Sequence, residues 1–322
     1  MKILVKGCLV VVAIWFLSGC SEEALPPLKI GSNIWSGYEL YYLARNIGAL
    51  DEQQARLVEF ANATDVSHQL VNGNIQAGLL TLDEAIRLEQ SGLPLKVVHI
   101  VDFSRGGDVV MGRKALEEGE SLIGKTIAVE GSAVGALMLT SFSKHIDVSI
   151  DHLNVQYIRV DDSEKAFNEG ADFVVTFEPF RTKLLNLGAV QVFDSSFVPN
   201  LIVDVFVVRE DAINAGSRQQ IQHAVNGYYK AKRYFENNNA EAAKLMAKRL
   251  RITPEEVISS YDGIALASEQ DNERMLSGEA PDILDSIQAI NDILLSINLI
   301  SDSVTPTELI LTDPILAEPI TN

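Results

Sequence analysis

Residues 28–39 read Leu28-Lys29-Ile30-Gly31-Ser32-Asn33-Ile34-Trp35-Ser36-Gly37-Tyr38-Glu39. The first five form a short apolar run of strand character; after a polar, glycine-containing turn the apolar spacing becomes helical and continues to Gly48. The same alternation recurs downstream. Strands are expected at 28–32, 56–60, 75–81 and 95–102, with helices over 38–47 and 65–72 and a further helical turn after Thr81. After Gly124 a second set follows: strands at 126–129, 155–160, 173–176 and 189–193, and a helix over 133–144. Alternating strands and helices define an α/β class with largely parallel sheets. The β-branched run over 201–208 is the expected route by which the chain returns to the first sheet.

From 211 onward the pattern is mostly helical. Ile221, Val225, Tyr228 and Tyr229 mark one face, as do Ile283, Ile287, Ile290 and Leu294 on a later helix. Thr253-Pro254-Glu255-Glu256 places an N-cap threonine, a first-turn proline and a third-position glutamate, so a helix starts there. Residues 305–322 contain three of the ten prolines and no periodicity, and are expected to form an extended tail.

The N-terminus supplies an address. Lys2 and Lys6 precede an apolar run over 9–17, too short to span a bilayer core of about 30 Å, and Leu17-Ser18-Gly19-Cys20 follows. This pattern resembles the bacterial lipoprotein lipobox: residues 1–19 would be a cleaved export signal, Cys20 the acylated first residue, and 20–27 a tether. Ser21, in place of an aspartate, is the residue that in such lipoproteins usually accompanies outer-membrane sorting. The chain carries a formal charge of -18, and loss of Lys2 and Lys6 with the signal leaves the mature chain near -20. Such a surface repels nucleic acid and anionic headgroups, so the membrane is expected to hold the protein through the lipid alone. With Cys8 in the signal and Cys20 acylated, no disulfide is expected. About 300 mature residues suit two lobes or one large domain.

Catalytic motifs are scarce. There is no Gly-x-Ser-x-Gly elbow, phosphate-binding loop or dinucleotide fingerprint, and His68, His99, His145, His152 and His223 show no ligand spacing. No metal, cofactor or enzymatic activity is expected. The informative residues lie at strand ends, where open α/β sheets place their ligands. Trp35 and Tyr38 either meet a ligand or cap the core, and Glu39 either meets a ligand or faces the helix dipole. Thr81 and Asp83 open a helix and present a hydroxyl and a carboxyl. Asp102 and Ser104 end a strand before Arg105-Gly106-Gly107-Asp108, a stretch suited to a hinge, a ligand contact, or both. Gly131 and Ser132 offer free backbone N–H groups and a hydroxyl at a helix start. Glu178 stands at the carboxyl edge of an apolar strand, where it either binds a positive group or opens the next helix. Asp204 sits within a run that should be buried, so it needs a partner.

Trp35-Ser36-Gly37-Tyr38-Glu39, Thr81-Leu82-Asp83-Glu84, the segment from Gly124 to Glu130, Thr176-Phe177-Glu178-Pro179 and Phe193-Asp194-Ser195-Ser196 occur in an order and spacing that resembles one family. It is the periplasmic substrate-binding proteins that include the nitrate, sulfonate, taurine and thiamine-precursor receptors of ABC importers. The resemblance implies a two-lobed, type II periplasmic-binding-protein fold, each lobe a mainly parallel sheet flanked by helices. Lobe I would comprise 28–104 and 205–300, lobe II 105–204, and 301–322 a tail, with crossings near 104–110 and 199–204. It further implies a monomer that closes on a small molecule in the interlobe cleft, for an ABC permease or a membrane signalling protein. Trp35, Tyr38, Glu178, Asp204 and Asp102 suit an amine or aminopyrimidine such as a thiamine precursor; Arg105 and Arg181 leave a sulfonate or zwitterion open.

Overall fold

The computed structural model describes residues 25–316. The expected export signal, Cys20 and the start of the tether lie outside the described residues, as does the end of the expected tail. Within them, no helix is long and apolar enough to cross a membrane.

Among the described residues, eleven strands form two sheets. The strands are β1 Leu28–Ser32, β2 Ala55–Glu59, β3 Ala77–Thr81, β4 Leu95–Ser104, β5 Asp108–Gly112, β6 Thr126–Glu130, β7 Asn154–Ile158, β8 Phe173–Phe177, β9 Val190–Asp194, β10 Val203–Arg209 and β11 Ile264–Leu266. The first sheet has the order β11-β4-β10-β3-β1-β2, the second β7-β6-β8-β5-β9. Both are mixed. In the first, β1 pairs in parallel with β2 and β3, while β10 runs antiparallel between β3 and β4. In the second, β6 pairs in parallel with β7 and β8, and β5 runs antiparallel between β8 and β9. Most strands of each sheet therefore point one way, as expected; β5 and β10, the first strands after the two crossings, and the short β11 run against them.

The expected hinge near 104–110 is thus shorter than its sequence suggests, because Asp108 already begins β5. Short turns make the two crossings. The Ser104 N–H donates to the Ile202 carbonyl at 3.1 Å, and Ser195 Oγ lies 2.7 Å from both Ser104 Oγ and the Gly106 nitrogen. A third segment joins them where Arg105 N–H donates to the Gly263 carbonyl at 2.8 Å. Gly263 packs against bare backbone: a Cβ there would lie 2.5 Å from the Gly106 carbonyl carbon.

Helices cover both faces of the sheets, so the strands are apolar on both sides. Along β10, Phe206 and Val208 join one core cluster while Val203, Val205 and Val207 join another. The period-2 alternation of the strand directs Asp204 to the same face as Phe206, toward the turn after β1. The helices are α1 Glu39–Asn46, α2 Ala63–Val71, α3 Leu82–Gln90, α4 Ala133–His145, α5 Ser163–Asn168, α6 Phe180–Asn186, α7 Ala215–Asn237, α8 Asn239–Leu250, α9 Pro254–Ser259, α10 Glu269–Leu276 and α11 Ile283–Ser296. The expected capping box opens α9, with the Glu256 N–H donating to Thr253 Oγ1 at 3.2 Å and the Thr253 N–H to Glu256 Oε2 at 2.7 Å. The stripe Ile283, Ile287, Ile290 and Leu294 is fully buried. Each such side chain contributes about 1.5–3 kcal/mol relative to an exposed one.

The described part of the tail differs from expectation. It makes a 3₁₀ turn at Pro306–Leu309, Ile310 bridges Val97 beside β4, and Val304, Leu309 and Ile315 are buried. Isolated apolar residues among prolines show no period, which is why this packing is invisible in the sequence.

Candidate functional site

At the carboxyl end of β1 the chain turns through Ser36–Tyr38, a single 3₁₀ turn, before α1. The turn packs so closely on β4 that a Cβ on Gly37 would lie 1.9 Å from Asp102 Oδ2. Only glycine fits there. This approach lets Trp35 Nε1 donate to Asp102 Oδ2 at 3.1 Å and the Tyr38 hydroxyl to Asp204 Oδ1 at 2.5 Å. Asp102 and Asp204 are themselves register partners on β4 and β10. Burial pushes Asp102 up to about 7, and burial together with the Asp102 charge raises Asp204 well above the usual carboxylate range. Each of two buried acids in such proximity disfavours the ionised form of the other.

In front of this pair lies a cleft between the two sheets, about 340 Å³ of space with its mouth included. The first-sheet side contributes Asn33, Trp35, Tyr38, Ala63, Thr81, Glu84 and Asp204; the second-sheet side contributes Asp108, Glu130, Val134 and Phe177. Trp35 and Phe177 meet edge to face across the boundary, ring centroids 5.7 Å apart. Four of the lining residues are acids, and none is lysine, arginine or histidine. Burial, reinforced by Asp83 and Glu130, pushes Glu84 up to about 8. Burial pushes Asp108 up to about 7 and also raises Glu130. Asn33 Oδ1 is buried on this lining without a hydrogen-bond partner. Orphaned polar atoms beside carboxyls in a cleft are what a donor-rich ligand satisfies.

Of the expected contacts, Trp35, Tyr38, Thr81 and Asp204 line the cleft. Asp102 stands behind, orienting Trp35. Asp83 is fully buried in the first turn of α3, its carboxyl pushed up to about 6 by burial, and is not on the lining. Ser104 belongs to the crossing, accepting from the Asp108 N–H at 3.1 Å. Ser132 caps α4, accepting from the Gly135 N–H at 3.2 Å, beside a recess that adjoins the cleft; Gly131 is exposed.

Two expected contacts are instead structural. Glu178 receives Arg181 at 2.9 Å and the Thr182 N–H at 3.2 Å, so it opens α6. Glu39 is buried against Arg249, whose guanidinium also lies 2.7 Å from Glu59 and 3.6 Å over the Tyr42 ring. Arg105 and Arg181, the cations that would favour an oxyanion, do not line the cleft. Asn33, Ala63, Glu84, Asp108, Glu130, Val134 and Phe177 were not singled out by sequence; the available signal was that each stands within a residue or two of a strand end or a helix start.

Two mixed α/β sheets joined by short crossings, with a polar cleft between them, define the class of two-lobed periplasmic binding proteins, type II. More particularly, the chain belongs to the NMT1/THI5 like family, whose model matches residues 50–242. A search of curated proteins found no match. Among solved structures, the fold is similar to the alkanesulfonate-binding protein SsuA from Xanthomonas axonopodis pv. citri bound to MOPS: 17% identity, 89% of this chain and 99% of that chain covered, TM-score 0.73. It is also similar to the zinc-bound ligand-binding component of an ABC-type import system from Staphylococcus aureus (16% identity, 90% and 97% covered, TM-score 0.71). A third is the Candida albicans CA3427 gene product, with the generic periplasmic binding protein fold (14% identity, 91% and 99% covered, TM-score 0.67). At these identities the similarity concerns the fold.

Proposed function

We propose that the protein is a lipid-anchored, extracytoplasmic solute-binding protein that captures a small amine or aminopyrimidine by cleft closure and delivers it, unchanged, to an ABC importer. One observation carries the choice of ligand: Glu84, Asp108, Glu130 and Asp204 line a single cleft with no basic side chain among its lining residues. A cationic or donor-rich group ionises these carboxyls and gains charge-assisted hydrogen bonds, while the Trp35 face adds a cation–π contact. A sulfonate would meet acids and no cation, which disfavours that ligand.

Cys20, with the signal before it, would hold a monomeric receptor at the membrane, facing the periplasm. Ser21 favours a second role for the same site, reporting occupancy to a membrane signalling protein, since an outer-membrane address is remote from an inner-membrane permease. The test is native mass spectrometry of protein purified without refolding, followed by a thermal-shift screen of amines, aminopyrimidines and sulfonates. A ligand at a hundred times its Kd stabilises the fold by about 2.7 kcal/mol. Stabilisation by amines and none by sulfonates is expected; the reverse pattern refutes the proposal. Turnover of the bound compound would instead identify an enzyme.

A further inference from the structure

The acids of the cleft are divided between its walls. Glu84, at the start of α3, and Asp204, on β10, belong to the first-sheet side; Asp108, at the start of β5, and Glu130, at the end of β6, belong to the other. A single ammonium makes close contact with only some of them. The remainder would face one another at low dielectric, where like charges repel strongly. A compact metal ion would need several carboxylates converging on one point, and among the described residues no three His, Cys, Asp or Glu side chains are grouped to hold one. The negative charge is therefore distributed along the cleft. The Trp35 and Phe177 rings, edge to face, line the same cleft and give it an apolar surface suited to methylene groups. Asn33, 6% exposed, adds an unpartnered oxygen on the same lining, independent evidence that a ligand N–H group belongs there.

We propose that the ligand carries two protonated nitrogens joined by a short apolar linker, a diamine-type dication with one charge for each wall of the cleft. This rests on the amine reading above and narrows it. A dication neutralises both walls at once, so it is bound only when the two sheets approach, which makes closure itself the selective step. A monoamine of the same length satisfies one wall and leaves the other uncompensated.

The test is calorimetry at pH 8 on the full-length protein purified in detergent, with putrescine, cadaverine, n-butylamine, 4-aminopyrimidine and taurine as probes. One diamine is expected to bind roughly ten- to a hundredfold tighter than n-butylamine, because it gains a second charge-assisted contact. Glu130→Gln and Glu84→Gln, which keep side-chain shape and remove one acid from each wall, are each expected to lower diamine affinity roughly tenfold and to narrow the gap to n-butylamine. Thermal melting of each variant checks that it is folded. Equal binding of diamine and n-butylamine, or 4-aminopyrimidine bound tighter than either diamine, overturns the dication while the amine reading stands. Binding of taurine alone, or of no amine, overturns both. A diamine preference that survives both variants also overturns it, because the acids would then not be its source.

Discussion

Acidifying the solution from pH 8 to pH 6 should weaken ligand binding, and the structure sets the scale. Burial holds Asp108 at about 7, so its carboxyl is mostly ionised at pH 8 and mostly protonated at pH 6. The ionised fraction falls from about 0.9 to about 0.1, so a cation that needs this charge loses about tenfold in affinity, about 1.4 kcal/mol. Glu84, pushed up to about 8, titrates in the same window and adds loss in the same direction. The sign follows from linkage: a bound cation lowers the pKa of each acid it touches, so binding releases protons between pH 6 and 8 and strengthens as pH rises. Without ligand the sign inverts for stability. The native state holds protons on Asp102 and Asp108, both at about 7, that the unfolded chain has already released, so their contribution is fullest near pH 4 and is lost as pH rises through 7. Calorimetry at pH 6, 7 and 8 with the tightest-binding amine, in two buffers of different ionisation enthalpy, measures both the affinity and the protons released. Asp108→Asn should flatten the profile by roughly its tenfold share. Affinity that is flat with pH, or that rises on acidification, would refute the assignment of these carboxyls to the ligand.

Gly37→Ala places a methyl 1.9 Å from Asp102 Oδ2 and 2.5 Å from Trp35 Nε1, so the Trp35–Asp102 bond must break. A loss of about 1–3 kcal/mol in denaturant titration, with weakened binding, is expected. Arg249→Met leaves the buried Glu39 carboxylate uncompensated, removes a donor from the Asn33 carbonyl, and should cost about 3–5 kcal/mol, read from the same titration. Cys20→Ser should move the protein from the membrane fraction and abolish labelling by radioactive palmitate, while the export step can be followed by accumulation of the uncleaved chain.

Much of the scaffold was legible because both faces of its strands are apolar and its helices are striped. The run over 201–208 was recognisable as a returning strand, and Asp204 as a buried acid in need of a partner, which proved to be Tyr38 with Asp102 alongside. What local pattern could not supply is which of two neighbouring side chains faces the cleft. Asp83 and Glu84 are adjacent on α3, separated by about 100° of helical rotation, and only Glu84 lines the cleft. Phe177 and Glu178 stand next to each other where β8 ends; Phe177 reaches the cleft and Glu178 turns to Arg181. The strand β5 escaped notice for a different reason. Its partners, Phe173–Phe177 and Val190–Asp194, lie far along the chain, and its first residue follows directly on a glycine pair that reads as hinge. In sequence Asp108 therefore reads as part of a crossing, whereas in the structure it lines the cleft.

At the crossings, Gly263 rests on Gly106 and Gly107 with no side chain between them. In the closure proposed above, rotation of one lobe on the other would be carried largely by torsions of unsubstituted backbone here, beside the Trp35 and Ile264 side chains that pack on Gly107. The pivot is in effect a bearing of close clearance. A methyl group added at Gly263, 2.5 Å from the Gly106 carbonyl carbon, would act as a wedge, setting the angle at which the two lobes come to rest.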